Sequence, residues 1–130
     1  MEENLLTVTK VELLSPNPSA FAQRLKFRVH YDAPNDVDDP MTWTATYLAP
    51  DETDHVLGTF VVGPVKAGSH CTDLAFFPPS EPGDGLAGLR MSCASQGQEF
   101  CHVGYCIHND NKKCAVRDKP FITYRAPLGA

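Results

Sequence analysis

The sequence predicts an all-β domain, an immunoglobulin-like antiparallel β-sandwich with little helix, and three observations predict it. Apolar and polar residues alternate with a period of two along several segments. Clusters of Pro, Gly, Asn and Ser interrupt those segments at short intervals. No stretch sustains the 3.6-residue period of a long helix. The 130 residues, 42% hydrophobic and 21% charged, suffice for one hydrophobic core and not for two, so a single domain over residues 1–130 is expected.

The elements follow in chain order. A first strand is read over Leu6 to Leu14, closed by the turn residues Ser15-Pro16-Asn17-Pro18. Leu25, Phe27, Val29 and Tyr31 alternate with Lys26, Arg28 and His30, the pattern of a strand with one wet face, and Ala33-Pro34-Asn35 ends it. Met41, Trp43, Ala45 and Tyr47 alternate with Thr42, Thr44 and Thr46 in a second such strand. The run Val56-Leu57 through Phe60-Val61-Val62 is continuously apolar up to Gly63-Pro64, which predicts a strand buried on both sides. Ser69 to Phe77 is a further strand, followed by the turn cluster Pro78-Pro79-Ser80-Glu81-Pro82-Gly83. Leu89 to Ser95 and Gln98 to Ile107 flank Gln96-Gly97, a two-residue hairpin loop. In that register Cys93 faces Phe100 and Ser92 faces Cys101, which leaves Cys93 and Cys101 diagonal, and no disulfide is expected between them. A turn at Asn109-Asp110-Asn111 and a strand over Phe121 to Arg125 complete seven or eight strands. An extracellular immunoglobulin domain is excluded, because no cysteine precedes Cys71 to bridge an early strand.

Charge narrows the classes of partner. The formal net charge is −5, yet Val29 to Val65 contains no Lys or Arg and holds seven acids: Asp32, Asp36, Asp38, Asp39, Asp51, Glu52 and Asp54. The rest of the chain is therefore slightly basic. An acidic surface gains no counterion release from nucleic acid and no attraction to an anionic membrane, so neither is expected as a direct partner. A basic protein is the natural complement. The acidic N-terminus and the absence of a long apolar run predict a soluble, intracellular chain without a membrane span. Five cysteines with no C-x-x-C pair are expected to be reduced thiols.

Catalytic and metal chemistry find little support in the sequence. His102 and Cys106 share a strand face by their even spacing, and His108 joins them if the strand continues, but one strand supplies at most three ligands and no second Cys/His pair has zinc spacing. Gly68-Ser69-His70-Cys71 sets nucleophiles beside a histidine on opposite strand faces, where no relay forms. There is no nucleophile elbow, phosphate loop or dinucleotide fingerprint. No enzyme activity, cofactor or metal is expected.

Two longer strings are specific. Val61-Val62-Gly63-Pro64-Val65 leads into Ala67-Gly68 and His70, and Gly97-Gln98-Glu99-Phe100 leads into Val103-Gly104-Tyr105; Asn17-Pro18-Ser19, Phe21, Trp43, Tyr47 and Val56-Leu57 accompany them in order. In these residues, from about Val11 to Asn109, the sequence resembles the anti-silencing-function histone chaperone family. The resemblance implies an immunoglobulin-like sandwich, monomeric and non-enzymatic, found in the nucleus and also the cytoplasm. It would bind the dimer of histones three and four and pass it to nucleosome assembly or disassembly machinery.

The resemblance also implies two surfaces. On the histone-facing one, Asp54 and Tyr105 match family residues. Gly88 stands where the family has a valine central to the groove, His102 where it has an arginine, and Cys106 where it has a second tyrosine. Losing an arginine fork and an aromatic anchor predicts a weaker contact, or one rebuilt by Leu89, Arg90 and Met91. On the opposite side, a surface for a short basic motif shared by chromatin-assembly deposition complexes aligns with Asp36, Asp38, Asp39, Met41, Phe60, Val61 and Val62, with Tyr31 in place of a phenylalanine. The alternative is an adaptor domain that keeps the deposition surface and binds histones weakly.

Overall fold

A computed structural model of the chain describes residues 5–79 and 83–124, the Asp118 side chain excepted. Ser80, Glu81 and Pro82 of the expected turn cluster and Arg125 of the expected last strand lie outside the described residues. The described chain is all β. Its strands are β1 (Thr7–Leu13), β2 (Ser19–Ala20), β3 (Leu25–Ala33), β4 (Met41–Leu48), β5 (Asp54–Val62), β6 (Gly68–Phe76), β7 (Gly85–Ser95), β8 (Gln98–Asp110) and β9 (Lys113–Tyr124). Every pairing is antiparallel: β1-β3-β6 form one sheet and β2-β9-β8-β7-β4-β5 the other, the two curling into a half-barrel.

The two alternating strands carry the core, as their pattern requires. Leu25, Phe27, Val29, Tyr31 and Ala33 of β3 point inward, and so do Met41, Trp43, Ala45 and Tyr47 of β4. The inward rows of the two sheets meet: the Tyr31 and Trp43 rings are 6.3 Å apart, and Phe27 lies 5.2 Å from Tyr105 on β8. Two backbone bonds between Val37 and Val65, of 2.8 and 3.0 Å, tie the β3–β4 connection to the β5–β6 connection.

Three sequence expectations are corrected. The run Val56 to Val62 is not buried on both sides: β5 is the edge strand of the six-stranded sheet, and Val56 and Val61 are 67% and 72% exposed. A continuous apolar run reports hydrophobicity and cannot say whether a further strand covers it. The hairpin at Gln96-Gly97 forms as expected, but a bulge at Phe100 shifts the register, so that Cys93 pairs with Cys101 and Ser92 with His102. The last strand starts well before Phe121. Asn111 and Lys112, with φ of 50° and 60°, make a two-residue left-handed turn, and β9 begins at Lys113.

Candidate functional site

Pairing across the six-stranded sheet fixes which residues share its outer face, since partners in register point to the same side. One row runs Asp54 (β5), Leu48 (β4), Gly88 (β7), Cys106 (β8), Arg117 (β9). The next runs Val56, Thr46, Arg90, Gly104, Phe121, and a third Thr59, Thr44, Ser92, His102, Thr123. Leu86 and His108 pair at the flank. Neighbouring strands are about 4.8 Å apart, so each five-strand row spans roughly 19 Å.

This face is open and mixed in character. Leu86, Val56 and Phe121 are exposed by 72%, 67% and 66%, around smaller residues at its centre. Arg90, Cys106 and Arg117 are exposed, and Asp54 is exposed at the far end of its row. Acid and base thus stand at opposite ends of one row. At the centre, a Cβ placed on Gly88 would lie 3.3 Å from Leu48 Cδ1: the leucine leans over the glycine and fills the space a larger side chain would take. His102 Nδ1 is 3.8 Å from the Glu99 carboxylate, which lies three residues earlier on the same strand.

The structure brings together Asp54, Gly88, Cys106 and His102, four of the five residues assigned to the histone-facing surface. Tyr105 is not among them. It points inward, 7% exposed against Phe27, and burial pushes its phenol up to about 12. Alternation is the reason: Tyr105 and Cys106 are consecutive on a strand and must face opposite ways. The same parity removes two of the expected substitutes, since Leu89 and Met91 are buried and only Arg90 stands on the outer face. Leu48 and Arg117 were not singled out by sequence. Leu48 could have been, because it continues the wet side of β4 after Thr42, Thr44 and Thr46, where an apolar residue has no folding role. Arg117 depends on the Asn111-Lys112 turn and carries no local signal.

The second expected surface divides in the same way. Asp36, Asp38 and Asp39 are exposed in the β3–β4 connection, held out by the Val37–Val65 pairing. Asp36 accepts a 2.8 Å bond from the Ala67 N–H and lies 3.8 Å from Lys66 Nζ; Asp39 accepts one of 2.8 Å from Gln96 Nε2. On adjacent β5, Phe60 and Val62 are partly buried against the core, and Val61 faces out. Tyr31 and Met41 are core residues, 1% and 0% exposed, and so present no contact surface. The Tyr31 hydroxyl is bonded to Thr72 Oγ1 at 2.8 Å, and burial raises its pKa. The inward side of each alternating strand explains both placements. Among the described residues no group of three or more His, Cys, Asp or Glu side chains could hold a metal ion, so His102, Cys106 and His108 do not assemble into a site.

The sequence is similar to known proteins over nearly its whole length. Residues 3–126 match the family described as ASF1 like histone chaperone. The chain is 32% identical over 124 residues to the "Probable histone chaperone ASF1A" of Arabidopsis thaliana, covering 88% of this chain and 63% of that protein. It is 31% identical over 122 residues to "Histone chaperone asf1" of Drosophila melanogaster, covering 87% and 56% respectively. Against "Histone chaperone asf1b" of Xenopus tropicalis it is 28% identical over 127 residues, covering 87% and 63%. The chain therefore spans 56% to 63% of the length of these curated relatives.

Proposed function

Since the chain belongs to the ASF1 like histone chaperone family, which is not enzymatic, we propose that it binds the dimer of histones three and four on the outer face of its six-stranded sheet and passes it to nucleosome assembly or disassembly machinery. One observation carries this reading: Asp54, Gly88 and Cys106, assigned to histone contact from three separate stretches of sequence, lie in one row across four strands. A basic helix laid along that row would find Asp54 at one end and the apolar side chains Leu48, Val56 and Leu86 beside it, the arrangement of helix-in-groove recognition. Arg90 and Arg117 stand exposed on the same face and offer permanently charged guanidinium forks where His102 replaces the family's arginine.

The exposed acids Asp36, Asp38 and Asp39 beside Val61 support a second contact, with a basic segment of a chromatin-assembly deposition complex. Rim charges of this kind govern approach rate and salt dependence more than affinity. A nuclear location, with a cytoplasmic pool, belongs to the same proposal. The adaptor reading is favoured by one feature, the lack of an aromatic anchor at Cys106, and it predicts binding of a basic deposition peptide without binding of histones.

Size-exclusion chromatography of the recombinant chain with the histone dimer at moderate salt tests the proposal. A co-eluting complex of one chain per dimer is expected. Separate elution, with a deposition-type basic peptide still bound, would leave the adaptor reading in its place.

A further inference from the structure

The bulge at Phe100 has a chemical consequence. Without it, the hairpin would set Cys93 and Cys101 diagonally; with it they become direct cross-strand partners on β7 and β8. Directly opposed residues of an antiparallel pair have Cα atoms about 4.5–5.5 Å apart, inside the range of about 4.4–6.8 Å spanned by disulfides. Both thiols are free and buried, with 0% exposure each, and the Cys101 thiol is near enough to perturb that of Cys93. The other cysteines are elsewhere: Cys71 and Cys106 are exposed, and Cys114 lies on β9 opposite Asn109.

We propose that Cys93 and Cys101 are a redox-modification site, closed to an intrachain disulfide by hydrogen peroxide and reopened by a dithiol. One thiol attacks peroxide, giving a sulfenic acid and a water. The second thiol attacks the sulfenic sulfur, the S–S bond forms, and the displaced oxygen leaves with the remaining protons as a second water. Two thiols lose two electrons and peroxide gains them.

The neighbouring Cys101 thiol and burial hold the Cys93 thiol well above its ordinary pKa, so thiolate is scarce in the closed fold and the pair does not react at rest. Access comes from fraying of the hairpin at Gln96-Gly97, only three residues beyond Cys93, and closure is slow for that reason. Once formed, the bond joins β7 to β8 directly beneath the outer-face pair Ser92 and His102. It shortens the free loop of the unfolded chain and is expected to raise the thermal midpoint by about 5 °C or more.

The experiment uses the whole chain with Cys71→Ser and Cys106→Ser, which removes the exposed thiols. Trypsin cuts after Arg90 and Lys112 and leaves Cys93 and Cys101 in one peptide, Met91 to Lys112. After incubation of the folded protein with hydrogen peroxide and alkylation, that peptide is expected to be lighter by two hydrogens and to carry no alkyl group. The change is expected to reverse with dithiothreitol and to vanish in Cys93→Ala or Cys101→Ala. The proposal is overturned if the folded protein keeps both thiols alkylatable, if the peptide gains oxygen instead, or if Cys101 is found bridged to Cys114. The peptide mass of the parent protein decides this even where an alanine variant fails to fold.

Discussion

The two faces of the six-stranded sheet use the same strands for opposite purposes. Along β8 the inner face presents Cys101, Val103, Tyr105 and Ile107, all buried, while the outer face presents His102, Gly104, Cys106 and His108. Large apolar groups on one side define the packing; small, titratable and charged groups on the other leave a surface that another molecule can cover. Chemical type alone misleads here. A tyrosine is the better interface anchor on general grounds, yet Tyr105 belongs to the core and its neighbour Cys106 to the surface. Parity across a strand decides role before residue type does.

The largest way to break that contrast is Tyr105→Ala. It removes a buried ring packed at a tilt against Phe27 and is expected to cost about 3–5 kcal/mol of stability, read as a lower denaturant midpoint. Any loss of histone binding would then track unfolding. A mere drop in histone affinity at unchanged stability would show that the ring faces the partner after all.

Asp54→Arg is the matching outer-face change. Asp54 is exposed, so the thermal midpoint is expected to stay within about 2 °C, whereas affinity for the histone dimer falls about tenfold or more, through loss of an attractive charge and gain of a repulsive one. Fluorescence titration at two salt concentrations checks it. An unchanged affinity removes the row from the interface.

Cys106→Tyr sharpens the comparison in the other direction. An aromatic anchor restored beside Gly88 and Arg117 is expected to tighten histone binding by about fivefold, roughly 1 kcal/mol, with little change in stability. Weaker binding would mean that the interface is shaped around the smaller side chain.

The smallest effect belongs to the outside of the three-stranded sheet, where Arg28 holds Asp73 in a two-point ion pair of 2.7 and 2.9 Å and His30 bonds Glu12. The guanidinium keeps Asp73 below its ordinary 3.8, and the imidazole contact keeps Glu12 below its ordinary 4.5. Folded values lower than unfolded ones mean stabilisation above those ordinary values and its loss as pH falls through the folded ones. Both carboxylates are solvent-screened, so thermal midpoints measured from pH 7 to 3 are expected to fall only slightly less in Arg28→Ala than in the parent chain.

Much of the fold was legible because it is written in alternation. β3, β4 and the Gln96-Gly97 hairpin are marked by period-two patterns and a turn residue, each a local property. The edge position of β5 was not legible, because edge and centre depend on what the rest of the chain supplies. The turn expected at Asn109-Asp110-Asn111 forms farther along, at Asn111-Lys112, because β8 runs on through Asp110, and a lysine at positive φ rarely announces such a conformation. The bulge did leave a trace. Phe100 is apolar at an even position and Val103, Tyr105 and Ile107 at odd ones, a parity change that needs one extra residue.

The candidate site was legible only as far as alignment to a family could carry it. Asp54, Gly88, His102 and Cys106 fall on one face because cross-strand register puts them there, and register is set by pairings distant in sequence. Tyr31 and Met41 fell on the wrong side of the same rule: alternation alone had already marked both as inward. Leu48 over Gly88 is a contact between strands β4 and β7 that no linear pattern announces.

The most direct test of the central claim is amide NMR of the labelled chain with and without the dimer of histones three and four. Shifts are expected to cluster at Leu48, Asp54, Leu86 to Arg90, His102 to His108 and Arg117, leaving Asp36, Asp38 and Asp39 unmoved. Shifts confined to Asp36 through Met41 and Phe60 through Val65, with Leu48, Asp54, Arg90, Cys106 and Arg117 silent, would contradict it.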